Sequence, residues 1–526
     1  MRCGLLVAAS AKQALDPFPG SAPAAATAEY RRRDPQGGVL HRVLRENLET
    51  FLARAQGAGN DGRGVPGFVE DELRSHLRCG VLAHGLIRVH CGKCRKDDLI
   101  ALSCKRRGFC PRCGGRRMTE LAAHISDHVL PDVPVRQWVL TLPYRLRFRL
   151  GYDHELSKKV LRIFSDAVID YYRRATGERL GQTGSITFIQ RFNSELALNV
   201  HFHQTAIDGV FVEDATGALR FVHAPEPEDV DVAEVLATAS AKIIDLARRH
   251  GIDLVGDPEF ACDEPEPLFE DMPALAACYD ASITRRTAFG QSSGARRPVT
   301  RIGGDPQAPW ISPDRPRHAQ HGGFDLHAGE VVAGSDRQGR EQLLRYCARP
   351  AIAQDRLALT AEGKVSLQLK RPYYDGTTSV EYEPLAFIER LAALIPRPHK
   401  NLLVYRGVLA PRSALRARVV AYRAQAGPVA ERGDAEEDLG PEPPVPEGGG
   451  ERAQGGYSYA DLMRRAFKTD VLVCPSCKGP RRLLAAVFKP EAIRRILKSL
   501  KLPTEPLPIA PARPPPGNEW LDFESA

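Results

Sequence analysis

The stretch "ALNVHFHQTAIDGVF", from Ala197 to Phe211, decides the reading of the fold. Its apolar run reads as a buried strand, and Asp208-Gly209 supplies turn chemistry near its end. Side chains alternate faces along a strand, so His201 and His203 point one way and Phe202 the other. Two imidazoles side by side on one face can grip one metal ion or one phosphate. The triplet alone is a weak signal, and its context has to carry the reading.

That context is a chain of 526 residues, too long for one simple core. Its hydrophobic fraction of 43% is that of an ordinary soluble globular protein. No apolar run approaches the roughly 20 residues of a membrane helix, so no membrane partner is expected. The start, "MRCGLLVAASAK", has a short apolar stretch, but Lys12 interrupts it before a signal-peptide core forms. Of twelve cysteines, six fall between Cys79 and Cys113, and two more form Cys474-Pro-Ser-Cys477. Such clustering suits metal binding in a reducing cytoplasm rather than a disulfide framework. The formal net charge is +8, and it is unevenly spread. Arg88–Met118 holds ten Lys/Arg, among them Lys105, Arg106, Arg107, Arg116 and Arg117, against only Asp97 and Asp98. A basic cluster on a metal-stapled module is the electrostatic footprint of a nucleic-acid binder.

Along the chain, residues 1–36 read as a disordered or over-extended N-terminus rich in Ala, Gly and Pro. Residues 37–130 read as a helical and zinc-binding DNA-binding domain, and 131–425 as a second domain that carries the His-Phe-His run. Within these, Gly37–Gln56 and His154–Gly177 carry amphipathic helix patterns. Strands are expected at Trp138–Leu142, Ser185–Phe192, the His-Phe-His run and Leu402–Val408. Arg145, Arg147 and Arg149 alternate with Leu146, Phe148 and Leu150, as on an extended edge with one basic face. The stretch from about 213 to 335 reads as irregular apart from a helix near 232–250. A helix is expected over Arg340–Pro350. Residues 426–456 form an acidic Pro/Gly linker, 457–502 a small CxxC module, and 503–526 a Pro-rich tail.

The pairs Cys91/Cys94 and Cys110/Cys113 are separated by fifteen residues. Zn²⁺ takes four soft ligands at tetrahedral corners, and two CxxC knuckles at this spacing supply them. With four thiolates the site is closed and structural. Cys79, His84, His90 and Cys104 are spare candidates for a second site. Cys474 and Cys477 make half a site that needs ligands from elsewhere.

Five segments in order, "LSCKRRGFCPRCGGRRM", "PVRQWVLTLPYRLR", "QRFNSELALNVHFHQTAIDGVF", "LLRYCARP" and "NLLVYRGVLAP", resemble rolling-circle insertion-sequence transposases, those of the common-region, IS91-like elements. The resemblance covers roughly residues 30–425 and extends to the CxxC tail. It implies an α+β fold: a zinc-binding module, then an HUH-type, ferredoxin- or RRM-like antiparallel sheet with helices packed on one face. It implies that His201 and His203 are the HUH pair, holding catalytic Mg²⁺ or Mn²⁺ beside structural Zn²⁺. The third ligand would be Gln190, Glu195 or Gln342. Tyr346 in "LLRYCARP" would be the nucleophile, leaving a 5′-phosphotyrosine on single-stranded DNA. A free phenol has a pKa of about 10, so a neighbouring cation, Arg345 or Arg349, would favour the phenolate. Gln342 and Pro350 stand four residues either side of Tyr346, so the chain resembles the single-tyrosine branch. Tyr373 and Tyr374 read as packing or base-stacking aromatics. The partners implied are single-stranded DNA at element ends, target DNA and a homo-oligomeric copy, in a bacterial, nucleoid-associated cytoplasmic setting. A plasmid replication initiator or relaxase would share this chemistry, and a non-catalytic zinc-dependent DNA-binding protein would share only the zinc.

Overall fold

A computed structural model describes residues 34–57, 62–254, 267–289, 300–303, 315–373, 375–423, 458–467 and 470–514. The expected N-terminal segment before residue 34, the whole of the expected acidic linker, the last twelve residues and Tyr374 lie outside the described residues.

Two amphipathic helices open the fold, α1 (Val39–Gly57) and α2 (Gly67–Arg78). Leu40, Val43, Leu44, Leu48 and Phe51 fall at helical spacing and are all buried. A hairpin of β1 (Leu86–Cys91) and β2 (Asp97–Ala101) leads to α3 (Pro111–His128), which starts on a proline that needs no N–H partner. Next come β3 (Val135–Thr141), α4 (Tyr144–Tyr152), α5 (His154–Ala175), β4 (Gly184–Phe192) and β5 (Leu198–Ile207). A second hairpin pairs β6 (Gly209–Glu213) with β7 (Leu219–His223), followed by α6 (Asp229–Arg249), α7 (Pro267–Asp271) and α8 (Pro273–Thr284). Then follow β8 (Thr300–Ile302), β9 (His318–His321), β10 (Phe324–Val332) and α9 (Arg337–Cys347). A small sheet holds β11 (Leu357–Leu359), β12 (Val365–Gln368) and β13 (Ser379–Tyr382) with β8. The chain continues through α10 (Pro384–Leu394), β14 (Leu403–Gly407) and α11 (Arg416–Val420). The C-terminal part holds α12 (Tyr459–Phe467), β15 (Arg481–Val487) and α13 (Pro490–Ser499).

The central sheet runs β14-β4-β5-β3-β10-β9, antiparallel throughout. The His-Phe-His strand is β5, flanked on both sides. Phe202 stacks on Phe164 of α5, with ring centroids 6.4 Å apart. At the far end of β5, Arg136 and Asp208 form a buried two-point ion pair at 2.9 and 3.1 Å. Arg136 also donates to Gly329 O, so the pair links β3, the end of β5 and β10.

Three expectations change. Helices lie on both faces of the sheet: α5 covers the Phe202 face, and α9, backed by α3, covers the histidine face. That is why β5 is buried almost end to end instead of alternating. Where it is described, the stretch 213–335 is not irregular, since β10 is an integral strand of the central sheet and α8 a buried helix. Arg145, Arg147 and Arg149 lie on α4, not on an extended edge. Pro143 precedes that helix, and Leu146 and Leu150, four apart, share its buried face. The same letters satisfy both periods over so short a run. The tail also has a place: Ala510 N donates to Arg45 O, and Arg513 N to Thr50 Oγ1, both on α1.

Candidate active site and metal centres

The strand register assembles the site. Gln190 on β4 stands opposite His201, and Phe188 opposite His203. Directly opposed residues share a face, so Gln190, His201 and His203 form one cluster under α9. The two imidazole centroids are 4.9 Å apart. His201 Nδ1 donates to Asn199 O at 2.8 Å, which leaves Nε2 as a lone pair. Gln137 Nε2 lies 3.1 Å from His203 Nδ1 and 2.9 Å from Cys347 Sγ. Turned by 180°, the same amide would accept from Nδ1–H and from the thiol, leaving His203 Nε2 as a lone pair. The orientation of the Gln137 amide would thus set the His203 tautomer, and no sequence signal marked this residue.

Burial pushes His201 down to about 4 and His203 well below its ordinary 6.5, with the charge of Arg349 adding to both. Both rings are neutral at physiological pH, as metal ligands must be. Gln190 Nε2 donates to Cys347 O at 2.7 Å, so its oxygen faces away from that helix end. Gln190 Oε1 and His203 Nε2 are buried with no hydrogen-bond partner among the described residues. Leaving such an atom unpaired costs about 1–3 kcal/mol. With Nε2 of His201 they would make a donor set of two nitrogens and one oxygen, which suits a divalent transition ion such as Mn²⁺ better than the oxygen-preferring Mg²⁺. Of the other candidates, Glu195 is held by Arg285 at 3.2 Å and Arg301 at 3.1 Å, so its charge is already met. Gln342 is exposed, one turn before Tyr346 on α9.

Tyr346 meets this cluster. Its ring stands edge-on to His203, with centroids 5.6 Å apart at 82°, and the residue is 39% exposed. The Arg349 guanidinium sits 4.9 Å from the Tyr346 ring centroid. Arg345 points elsewhere and is paired with Glu341. Two cations that the sequence did not single out complete the surroundings. Burial first, then the charge of Arg349, pushes Arg356 below its ordinary value, and the same two causes lower Lys370. Arg349, over the Tyr346 ring, thus shares its positive field with Arg356 and Lys370, a field that an anion would relieve. Tyr373 packs rather than reaching out, with its hydroxyl 2.7 Å from Ser194 Oγ and Arg301 over its ring.

The cysteines group differently from the expected quartet. Cys110 and Cys113 join Cys79 and Cys104, while Cys91 and Cys94 join Cys474 and Cys477. The reason is local direction: Cys91 and Cys94 sit at the turn of the β1–β2 hairpin, and Cys110 and Cys113 at the start of α3. In the first group Sγ–Sγ distances are 3.8 Å (Cys79–Cys113), 3.4 Å (Cys104–Cys113) and 3.6 Å (Cys79–Cys110). Zn–S bonds of about 2.3 Å at tetrahedral angles need about 3.8 Å between sulfurs, so the group fits zinc.

The basic candidates divide. Lys105, Arg107 and Arg116 are exposed, whereas Arg106 and Arg117 are half-buried. Arg107 donates to Lys400 O and Arg397 O, Arg117 to Arg106 O and Lys105 O, and Arg106 to Ser75 Oγ. Part of this charge therefore holds the cysteine loop together. Among the described residues no helix is long and apolar enough to cross a membrane.

Comparison with known families gives two matches. Residues 44–142 match a transposase zinc-binding domain of the IS91 type, and residues 290–416 match a family described as "Putative transposase". The first contains the quartet Cys79, Cys104, Cys110 and Cys113, and the second contains Tyr346. His201 and His203 fall between them. No match was found among curated proteins or among solved structures.

Proposed function

The chain belongs to the IS91-type insertion-sequence transposases, and from this premise we propose that it cuts and rejoins single-stranded DNA at element ends through Tyr346. The observation that carries the reading is the edge-on approach of Tyr346 to His203, over a sheet face that holds unpartnered ligand atoms. His201 Nε2, His203 Nε2 and Gln190 Oε1 would hold the divalent ion. When bound, that ion would draw charge from the scissile phosphate.

The residues account for the rest. Arg349, Arg356 and Lys370 hold the phosphodiester against α9. The Arg349 guanidinium lies over the Tyr346 ring, where it can meet the phosphate, and the phenol proton leaves to solvent at the exposed ring edge. Oη attacks phosphorus, an O–P bond forms, and the P–O3′ bond breaks, the leaving oxygen taking a proton from solvent to become a 3′-hydroxyl. The 5′-phosphotyrosine conserves the bond energy, so a 3′-hydroxyl of another strand can reverse the step without ATP. Zinc on Cys79, Cys104, Cys110 and Cys113 holds the basic loop that engages DNA. This loop is tied to the catalytic domain by the Arg107 contacts at 397 and 400.

The test is a covalent-adduct assay. The protein is incubated with labelled single-stranded oligonucleotides from the ends of its own element, with Mn²⁺ or Mg²⁺, and run on a denaturing gel. A shifted band that vanishes in Tyr346→Phe and weakens in His201→Ala is expected. DNA binding without an adduct on any end sequence would instead leave a zinc-dependent DNA-binding protein.

A further inference from the structure

The second cysteine group joins parts of the chain almost 400 residues apart. Cys91 Sγ lies 3.4 Å from Cys477 Sγ, and Cys94 Sγ lies 3.7 Å from Cys474 Sγ. All four sulfurs are within 4.8 Å of one another. These spacings are close to the ~3.8 Å of a tetrahedral zinc tetrathiolate and well beyond the ~2.05 Å of a disulfide.

The two halves also have the same backbone shape. In the first, Arg95 N donates to Cys91 O at 2.8 Å, and Arg95 takes a left-handed φ of 57°. In the second, Lys478 N donates to Cys474 O at 2.9 Å, and Lys478 takes a φ of 55°. Each CxxC is thus closed by a tight turn whose next residue is held in a conformation that side chains avoid. Two such turns, folded alike and facing each other, make a matched pair of knuckles.

Packing alone is thin here. β15 adds to β1 and completes the three-stranded sheet β15-β1-β2. Yet Leu483 is 65% and Phe488 66% exposed. The local core is Leu82 and Leu86 from the N-terminal side with Ile493 and Leu497 from α13. A core this small seldom holds a module without a staple. Further back along the same C-terminal segment, Arg465 of α12 pairs with Asp127 of α3 and with Glu341 of α9, five residues before Tyr346.

We propose that Cys91, Cys94, Cys474 and Cys477 hold a second, structural zinc ion, which closes the chain by clasping its C-terminal module onto the N-terminal hairpin. The zinc-binding domain is then bipartite, and residues 458–502 are part of it rather than a separate appendage. Through Arg465 the clasped segment braces α3 against the helix that carries Tyr346. The inference does not depend on the tyrosine chemistry.

The experiment is metal analysis of the full-length protein purified without chelator. Two zinc ions per chain are expected. Cys91→Ser/Cys94→Ser, Cys474→Ser/Cys477→Ser and the quadruple variant should each retain one, because all three lose the same ion. A wild-type content of one, or a quadruple variant that loses two where each double variant loses one, would overturn the clasp. Cobalt titration of the stripped wild-type chain guards against misfolded variants. Thiolate-to-cobalt absorption should rise through two equivalents, and saturation at one equivalent would overturn the proposal. Amide exchange over 86–91 should quicken at least tenfold in Cys474→Ser/Cys477→Ser, and unchanged protection there would show that the ion clasps nothing.

Discussion

The two ends of β5 bury polar groups in opposite ways. At one end Arg136, only 1% exposed, is answered by Asp208 and Gly329 O, and Asp208 also accepts from the Tyr172 hydroxyl, itself bonded by Trp138. Towards the other end His203 Nε2 and Gln190 Oε1 are buried with nothing to bond among the described residues. The first network is closed and fixes the sheet register. The second is held open by its surroundings, with α9 as a roof and Tyr346 at the rim. Buried polarity that is satisfied stabilises a fold, and buried polarity left unsatisfied marks where a ligand belongs.

The largest effect should come from breaking the closed end. Asp208→Ala leaves the buried Arg136 charge with only Gly329 O and the more distant Glu226 at 3.9 Å, which should cost about 3–5 kcal/mol in urea unfolding. A loss below about 1 kcal/mol would mean that the pair does not anchor the sheet. The open end should behave inversely. His203→Leu should slow adduct formation by roughly two to three orders of magnitude, the share of several kcal/mol that a bound ion supplies. Its melting temperature should stay level or rise, since an unpaired buried nitrogen is removed. A large fall in melting temperature would place His203 in the core instead.

Gln137 tests the boundary between the two ends. Gln137→Leu should weaken the response to Mn²⁺ about ten- to a hundredfold, as loss of a ligand's orienting partner does. The half-saturating metal concentration should rise while the rate at saturating metal changes little. A fall in the saturated rate alone would point to packing. The smallest effect concerns the arginines of α9. Arg349→Ala should reduce the slope of log affinity against log salt by about 1. Arg345→Ala, whose partner is Glu341, should leave that slope nearly unchanged.

Much of the site was legible because it rests on short-range periodicity. The alternation of His201, Phe202 and His203 assigns faces without any tertiary knowledge, and Phe202 does meet α5 while the histidines meet α9. The helix patterns of α1 and α5 and the placement of Tyr346 on a helix are equally local. Tyr144–Tyr152 was not legible, because six alternating residues suit a strand while Leu146 and Leu150 suit a helix. The choice among Gln190, Glu195 and Gln342 was also hidden. It depends on which strand lies beside β5 and on arginines contributed from 285 and 301.

The sequence by itself determined the chemistry available: a histidine pair on one face, a tyrosine on a helix, clustered thiols and a concentrated positive charge. Only the tertiary structure decided the partnerships. It divided the eight clustered and CxxC cysteines into two groups of four, one within the N-terminal domain and one spanning the chain. It brought β10 beside β3 and set α9 over the histidines. The reason is physical. Backbone periodicity is written in neighbouring residues, whereas which distant surfaces meet is settled by how the whole chain buries its apolar faces and satisfies its polar atoms.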